Sequence, residues 1–118
     1  MLPRIQYEIL QSRGQALRAL LAPMESEQEL FASANTLARV EAHLLEMAQT
    51  LAHLPEPLRL RLTKLDWHGW ARLQQLLEQN AQPRHEEVWY GLRALVPATL
   101  ELMAQLRRQE PVWFEPGF

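Results

Sequence analysis

The stretch 26–53 reads SEQELFASANTLARVEAHLLEMAQTLAH. Its first four residues, Ser26-Glu27-Gln28-Glu29, have the form of a capping box. In that arrangement the serine hydroxyl accepts from the backbone N–H of Glu29, and the glutamate carboxylate reaches back to the serine N–H. Leu30, Ala34, Leu37, Ala38, Leu44, Leu45, Ala48, Leu51 and Ala52 then follow largely at three- and four-residue intervals. That period is one stripe of an α-helix, and it does not alternate as a strand would. The alanines in the stripe leave room for a neighbouring helix. Pro55 stops the pattern, so one long helix is predicted from the box to about His53.

Outward from this helix the punctuation repeats. A first helix is predicted over 4–21, with Pro3 at its start, Pro23 beyond its end, and Ile5, Ile9, Leu10, Leu17, Leu20 and Leu21 on its apolar face. Gly14 weakens it by about 1 kcal/mol relative to alanine, either to admit a neighbour or as a tolerated defect. Pro55-Glu56-Pro57 leaves 58–62 only a short helical turn. Asp66 is a good N-cap for a third long helix from Trp67 to Gln79-Asn80, with Asn80 as the residue just past its end. Trp67, Trp70, Leu73, Leu76 and Leu77 form its apolar side. A last helix over 85–108 carries Val88, Leu92, Leu95, Val96, Leu102, Met103 and Leu106 inward, with a kink expected at Pro97. The apolar residues Trp113, Phe114 and Phe118 in the tail 110–118 are expected to dock on the body of the protein. The predicted fold is all-α: an antiparallel up-down four-helix bundle with one short extra helix between the second and third long helices, in a single domain over 1–118.

Composition agrees. Leucine occurs 23 times and alanine 14 times, against ten valine, isoleucine and threonine residues together, which favours helix over sheet. A chain of 118 residues fits one domain, burying roughly two thirds of its unfolded surface. The formal net charge of -2 lacks the basic footprint of a dedicated nucleic-acid binder. The absence of cysteine excludes disulfides, thiolate metal sites and a cysteine nucleophile. No apolar run approaches the ~18 residues of a membrane span, and the first ten residues carry Glu8 and no signal-peptide pattern. A cytoplasmic protein without membrane contact is expected.

The sequence carries few chemistry-bearing patterns. The single aspartate is explained by its capping position. No helix carries histidines at i, i+4 or the Glu-x-x-His pairs of a di-metal bundle, and His43 and His53 are too far apart to share an ion. No cofactor is expected. His85 reads as a solvated residue at a helix start. Arg61 and His68 have the spacing of some arginine–histidine ribonuclease pairs, but the helix boundary at Asp66 separates them.

Residues 54–106 carry an ordered set of short motifs: Leu54-Pro55-Glu56-Pro57-Leu58-Arg59, then Leu65-Asp66-Trp67, then Glu87-Val88-Trp89-Tyr90, then Leu95-Val96-Pro97. In order and spacing this resembles the HepT-like branch of the HEPN superfamily. The resemblance implies a small dimeric bundle of four main helices, encoded beside a minimal nucleotidyltransferase and acting with it as toxin and antitoxin. It also implies an R-N-x-x-x-H motif, often continued by x-Y, within the third long helix. Aligned on Asp66-Trp67, the arginine and asparagine fall on Gln74 and Gln75, the histidine on Gln79, and the tyrosine on Ala81. In active members the arginine would stabilise phosphate charge and the histidine would transfer a proton or orient the ribose hydroxyl. The tyrosine would be the residue that the partner adenylylates in some members. Glutamine carries no positive charge and does not titrate near neutrality, and alanine cannot accept a nucleotidyl group.

The expected function is therefore that of a catalytically degenerate HepT-like protein, a homodimer that binds a minimal nucleotidyltransferase. The rival is a metal-independent ribonuclease toxin that works on RNA with displaced groups, His68, Arg72, Arg84 and His85. A third reading is a helical scaffold with no toxin–antitoxin role.

Overall fold

The computed structural model describes residues 2–116, and every regular element among them is helical. Three long helices are continuous: α1 (Pro3–Leu21), α3 (Ala34–Ala52) and α5 (Trp67–Glu78). The fourth rod is composite, made of α6 (His85–Tyr90), a π-helical turn (Gly91–Leu95) and α7 (Val96–Gln109). Two short helices, α2 (Glu27–Ala32) and α4 (Glu56–Arg59), lie in the connections, and a 3-10 turn (Pro111–Phe114) follows α7. α1 packs on α3 and α7, α3 packs also on α5, and α5 packs on the π turn. Leu10, Leu44, Met47, Leu51, Leu73, Val88 and Met103 are buried where these faces meet. No helix among the described residues is long and apolar enough to cross a membrane.

The second long helix is shorter than its sequence pattern suggests. Ser33 is extended (φ -105°, ψ 96°) and its hydroxyl donates to Thr36 Oγ1 at 3.0 Å. Ser, Asn and Thr side chains offer polar partners that compete with helix continuation, and the sequence Ser33-Ala34-Asn35-Thr36 concentrates them. The capping box is half formed and displaced by one residue: Glu29 Oε2 accepts from the backbone N–H of Glu25 at 2.9 Å, and the Ser26 side chain makes no capping bond. The buried face of α3 is also rotated from the expected one. Val40 and Met47 are fully buried, whereas Ala34, Ala38 and Ala52 are exposed.

α1 differs in the same way. Pro3, Gln6, Leu10, Gly14 and Leu17 face inward, and Ile5 is exposed. Gln6 is stabilised in this position because its amide donates to the carbonyl of His53 at 3.0 Å, joining the start of α1 to the end of α3. Gly14 is a site of close approach: a Cβ there would lie 2.6 Å from Leu100 Cδ1. At Pro97 the rod widens. In a regular α-helix its ring would clash with the carbonyl four residues earlier; here the backbone N–H of Val96 bonds to Gly91 five residues before it. In the tail, Phe114 is buried with its ring 5.3 Å from that of Tyr7, so this part docks on its own chain. Phe118 lies outside the described residues.

Candidate functional site

α5 is fixed at both ends by bonds that its sequence supplies. At its start Asp66 Oδ1 accepts from the backbone N–H of Gly69 at 2.8 Å, as an N-cap should. Asp66 Oδ2 accepts from the Tyr90 hydroxyl at 2.7 Å. The phenol bond first, and the Gly69 bond second, hold the Asp66 carboxyl below its ordinary range; the same phenol–carboxylate bond pushes Tyr90 up. At the other end Asn80 adopts the left-handed conformation with φ 50°. The N–H of Ala81 bonds to Leu76 O at 2.9 Å and that of Asn80 to Leu77 O at 3.2 Å, which is a Schellman motif.

That ending decides where the family-motif positions fall. Gln74 is half-buried and its amide donates to Glu78 Oε1 at 2.6 Å, one helical turn on. Gln75 is exposed. Gln79 is the C-cap and exposed, and Ala81 lies past the helix in the turn. The resemblance implies all of the Arg-to-His segment on one helix; here the helix stops at Glu78. None of the three glutamines lines any of the five principal clefts among the described residues.

The rival set is divided between two adjoining clefts. His68 lines one of about 340 Å³, with Asp66, Glu86 and Tyr90. His85 and Arg84 line the other, of about 420 Å³, with Pro83. Arg72, Glu86 and Glu87 border both. Arg72 Nη2 is already bonded to Glu87 Oε1 at 3.1 Å. Arg84 is buried and makes four side-chain hydrogen bonds: Nε and Nη2 each donate to Glu41 at 2.8 Å, and Nη1 donates to Asn80 Oδ1 at 2.8 Å and to the carbonyl of Ala81 at 3.1 Å. Its pKa is raised, chiefly by the bonds to Glu41. His85 is exposed, yet its ring stacks on Phe31 with centroids 4.0 Å apart. Three carboxylates, Asp66, Glu86 and Glu87, face Arg72 in the His68 cleft, a poor electrostatic setting for a phosphodiester.

The remaining histidines and Arg61 lie elsewhere. His43 Nδ1 is 3.4 Å from Arg13 Nη1, and its pKa is lowered by burial and by the Arg13 charge. His53 Nδ1 faces the Gln49 carbonyl at 2.7 Å, so that nitrogen carries the proton. Arg61 pairs with Glu110 at 3.6 Å and borders a different cleft from His68, so the two do not converge. Among the described residues no three histidine, aspartate or glutamate side chains cluster closely enough to hold a metal ion.

No family model, curated protein or solved structure matches this chain. The site is therefore defined by its own geometry: a corner of α5 and α6 in which the cations are committed to neighbouring carboxylates. Sequence reading found Asp66 and Asn80 by their capping chemistry. It missed Glu41 and Tyr90, whose partners lie 43 and 24 residues away in the chain.

Proposed function

We propose that the chain is a catalytically silent HepT-like protein, a cytoplasmic homodimer that acts as the binding partner of a minimal nucleotidyltransferase. The observation that carries this reading is the α5 surface at Gln74, Gln75 and Gln79. It presents amides and the Glu78 carboxylate where the resemblance calls for a cation and an imidazole. Electrostatic stabilisation of a transferring phosphate needs a fixed positive charge, and removing such a group costs on the order of 10²–10³ in rate. The motif order adds support. Leu54 to Arg59 leads into and forms α4, Asp66-Trp67 opens α5, Glu87 to Tyr90 lies in α6, and Leu95-Val96-Pro97 spans the junction of the π turn and α7.

The finer architecture belongs to the same proposal: an antiparallel up-down four-helix bundle. Gln6 meets His53 and Arg13 meets His43, while Gly14 meets Leu100 and Arg107 meets Tyr7. Asp66 meets Tyr90 and Arg72 meets Glu87. In each set one position rises as its partner falls, the pattern of antiparallel neighbours.

Co-expression with the product of the neighbouring gene, expected on this reading to be a minimal nucleotidyltransferase, tests the function. A stable co-purifying complex containing two copies of this chain is expected; a monomer that ignores that protein overturns the reading. A ribonuclease reading has one observation in its favour, that Arg72 borders the clefts of both His68 and His85. Metal-independent RNA cleavage lost in His68→Ala or His85→Ala would establish it instead.

A further inference from the structure

Residues 57–65 read PLRLRLTKL and contain no carboxylate, although the chain as a whole has a net charge of -2. Leu58, Leu62 and Leu65 turn inward and are buried. Leu60, at the end of α4, is 67% exposed, the largest exposure among the large apolar side chains of the described residues. It borders a cleft of about 530 Å³ with Glu56, Arg59, Thr63 and Trp67. On the other side of the ridge Arg61, Thr63 and Lys64 border a second cleft of about 270 Å³ against Gln105 and Gln109 of α7. Arg59 lies over the Trp67 ring, 4.7 Å from its centroid. Arg61 has one weak partner, Glu110, and Lys64 has no ion pair among the described residues.

We propose that this ridge is a docking surface for an acidic segment of a partner protein, whose apolar side chain packs on Leu60 in the cleft while its carboxylates face Arg61 and Lys64. Charge complementarity carries the choice of occupant, because three of the chain's twelve Lys and Arg residues fall within residues 59–64. A single-stranded RNA is a poorer fit, since the guanidinium of Arg59 covers the aromatic face on which a base would stack. An anionic membrane is also a poorer fit, because one exposed leucine beside a concavity offers little apolar area to insert. The surface does not rest on the HepT-like reading.

The test is fluorescence anisotropy of the full chain with a labelled helical peptide bearing glutamates around one central leucine. Binding at low salt is expected, weakening as salt is raised. Leu60→Ser should weaken it about tenfold, the value of one buried leucine. Lys64→Glu should weaken it about as much, both variants keeping the wild-type melting temperature, and the Trp67 indole resonance should move on titration. Absence of saturable binding overturns the proposal, as does binding that neither variant changes. Preferential, variant-sensitive binding to phosphatidylglycerol vesicles or to oligouridylate overturns it in favour of a membrane or RNA.

Discussion

Replacing Arg84 with methionine tests whether the α5–α6 corner is held by charge. The side chains of Arg84 and Glu41 are only 10% and 15% exposed, so water cannot readily replace either partner. An exposed ion pair would contribute about 0–1 kcal/mol, but a buried carboxylate left without its cation costs about 3–5 kcal/mol. Methionine keeps part of the aliphatic stem packed, which points to the lower end, about 3 kcal/mol. For a domain of this size that lowers the melting temperature by roughly 10 °C. The double variant with Glu41→Met removes the orphaned charge and should recover about 2 kcal/mol relative to the sum of the single losses. Urea unfolding followed by circular dichroism measures all three variants. Hydrogen exchange at the Ala81 amide, bonded to Leu76, reports on the turn itself. A loss below about 1 kcal/mol in Arg84→Met, together with no coupling in the cycle, would refute the reasoning.

Thr99→Val leaves the Trp70 indole N–H, 2.9 Å from the threonine oxygen, without its buried partner, and should cost about 1–3 kcal/mol in urea unfolding, whereas Thr99→Ser should cost less. Gly14→Ala gains about 1 kcal/mol of helix propensity but forces Leu100 aside, and since overpacking costs about 1–3 kcal/mol a net loss near 1 kcal/mol is expected. Asp66→Asn should bring the Tyr90 phenol down toward its ordinary value, seen by ultraviolet titration of the chain's two tyrosines. Because the Asp66 pKa is depressed in the fold, its carboxylate contribution to stability is present above about pH 4 and is lost as pH falls through the folded value, so that acid-side dependence should shrink in Asp66→Asn. On the HepT-like reading, Gln74→Arg combined with Gln79→His should still fail to cleave a fluorogenic RNA, since position 79 lies at the end of α5; cleavage would show that one turn of helix can be added there.

Much of the frame was legible because it is written in local chemistry. Asp66 and Asn80 bracket α5, and Pro3 starts α1, through bonds or constraints that act over a few residues. Ser33 was not legible, because the apolar recurrence across Leu30, Ala34 and Leu37 continues through the break while the competing hydrogen bond is a single hydroxyl. The inward turn of Gln6 was hidden for a different reason. A glutamine scores as polar, and its amide N–H is paired only by a carbonyl at the end of α3, distant in sequence, while its Oε1 stays buried without a partner. The Arg84–Glu41 pair is similar: nothing in either local sequence marks it. Long-range polar pairs are set by how the faces come together, which the apolar pattern fixes only to within a helical rotation.

The two least legible features meet at one corner, and their combination explains its character. The break at Ser33 separates α2 from α3, and on α2 Phe31 lies stacked on His85 and edge-on to Trp89, with centroids 4.0 and 6.4 Å apart. Arg84, next to His85, ties the same start of α6 to α3 through Glu41 and to the end of α5 through Asn80 and Ala81. With α6 held on three sides, the Arg72–Glu87 and Tyr90–Asp66 bonds follow as its contacts along α5. A guanidinium engaged in this way has committed four of its five N–H donors to the fold and is poorly placed to follow charge developing on a substrate. Preorganised by these bonds, such a corner loses little entropy on meeting a partner surface.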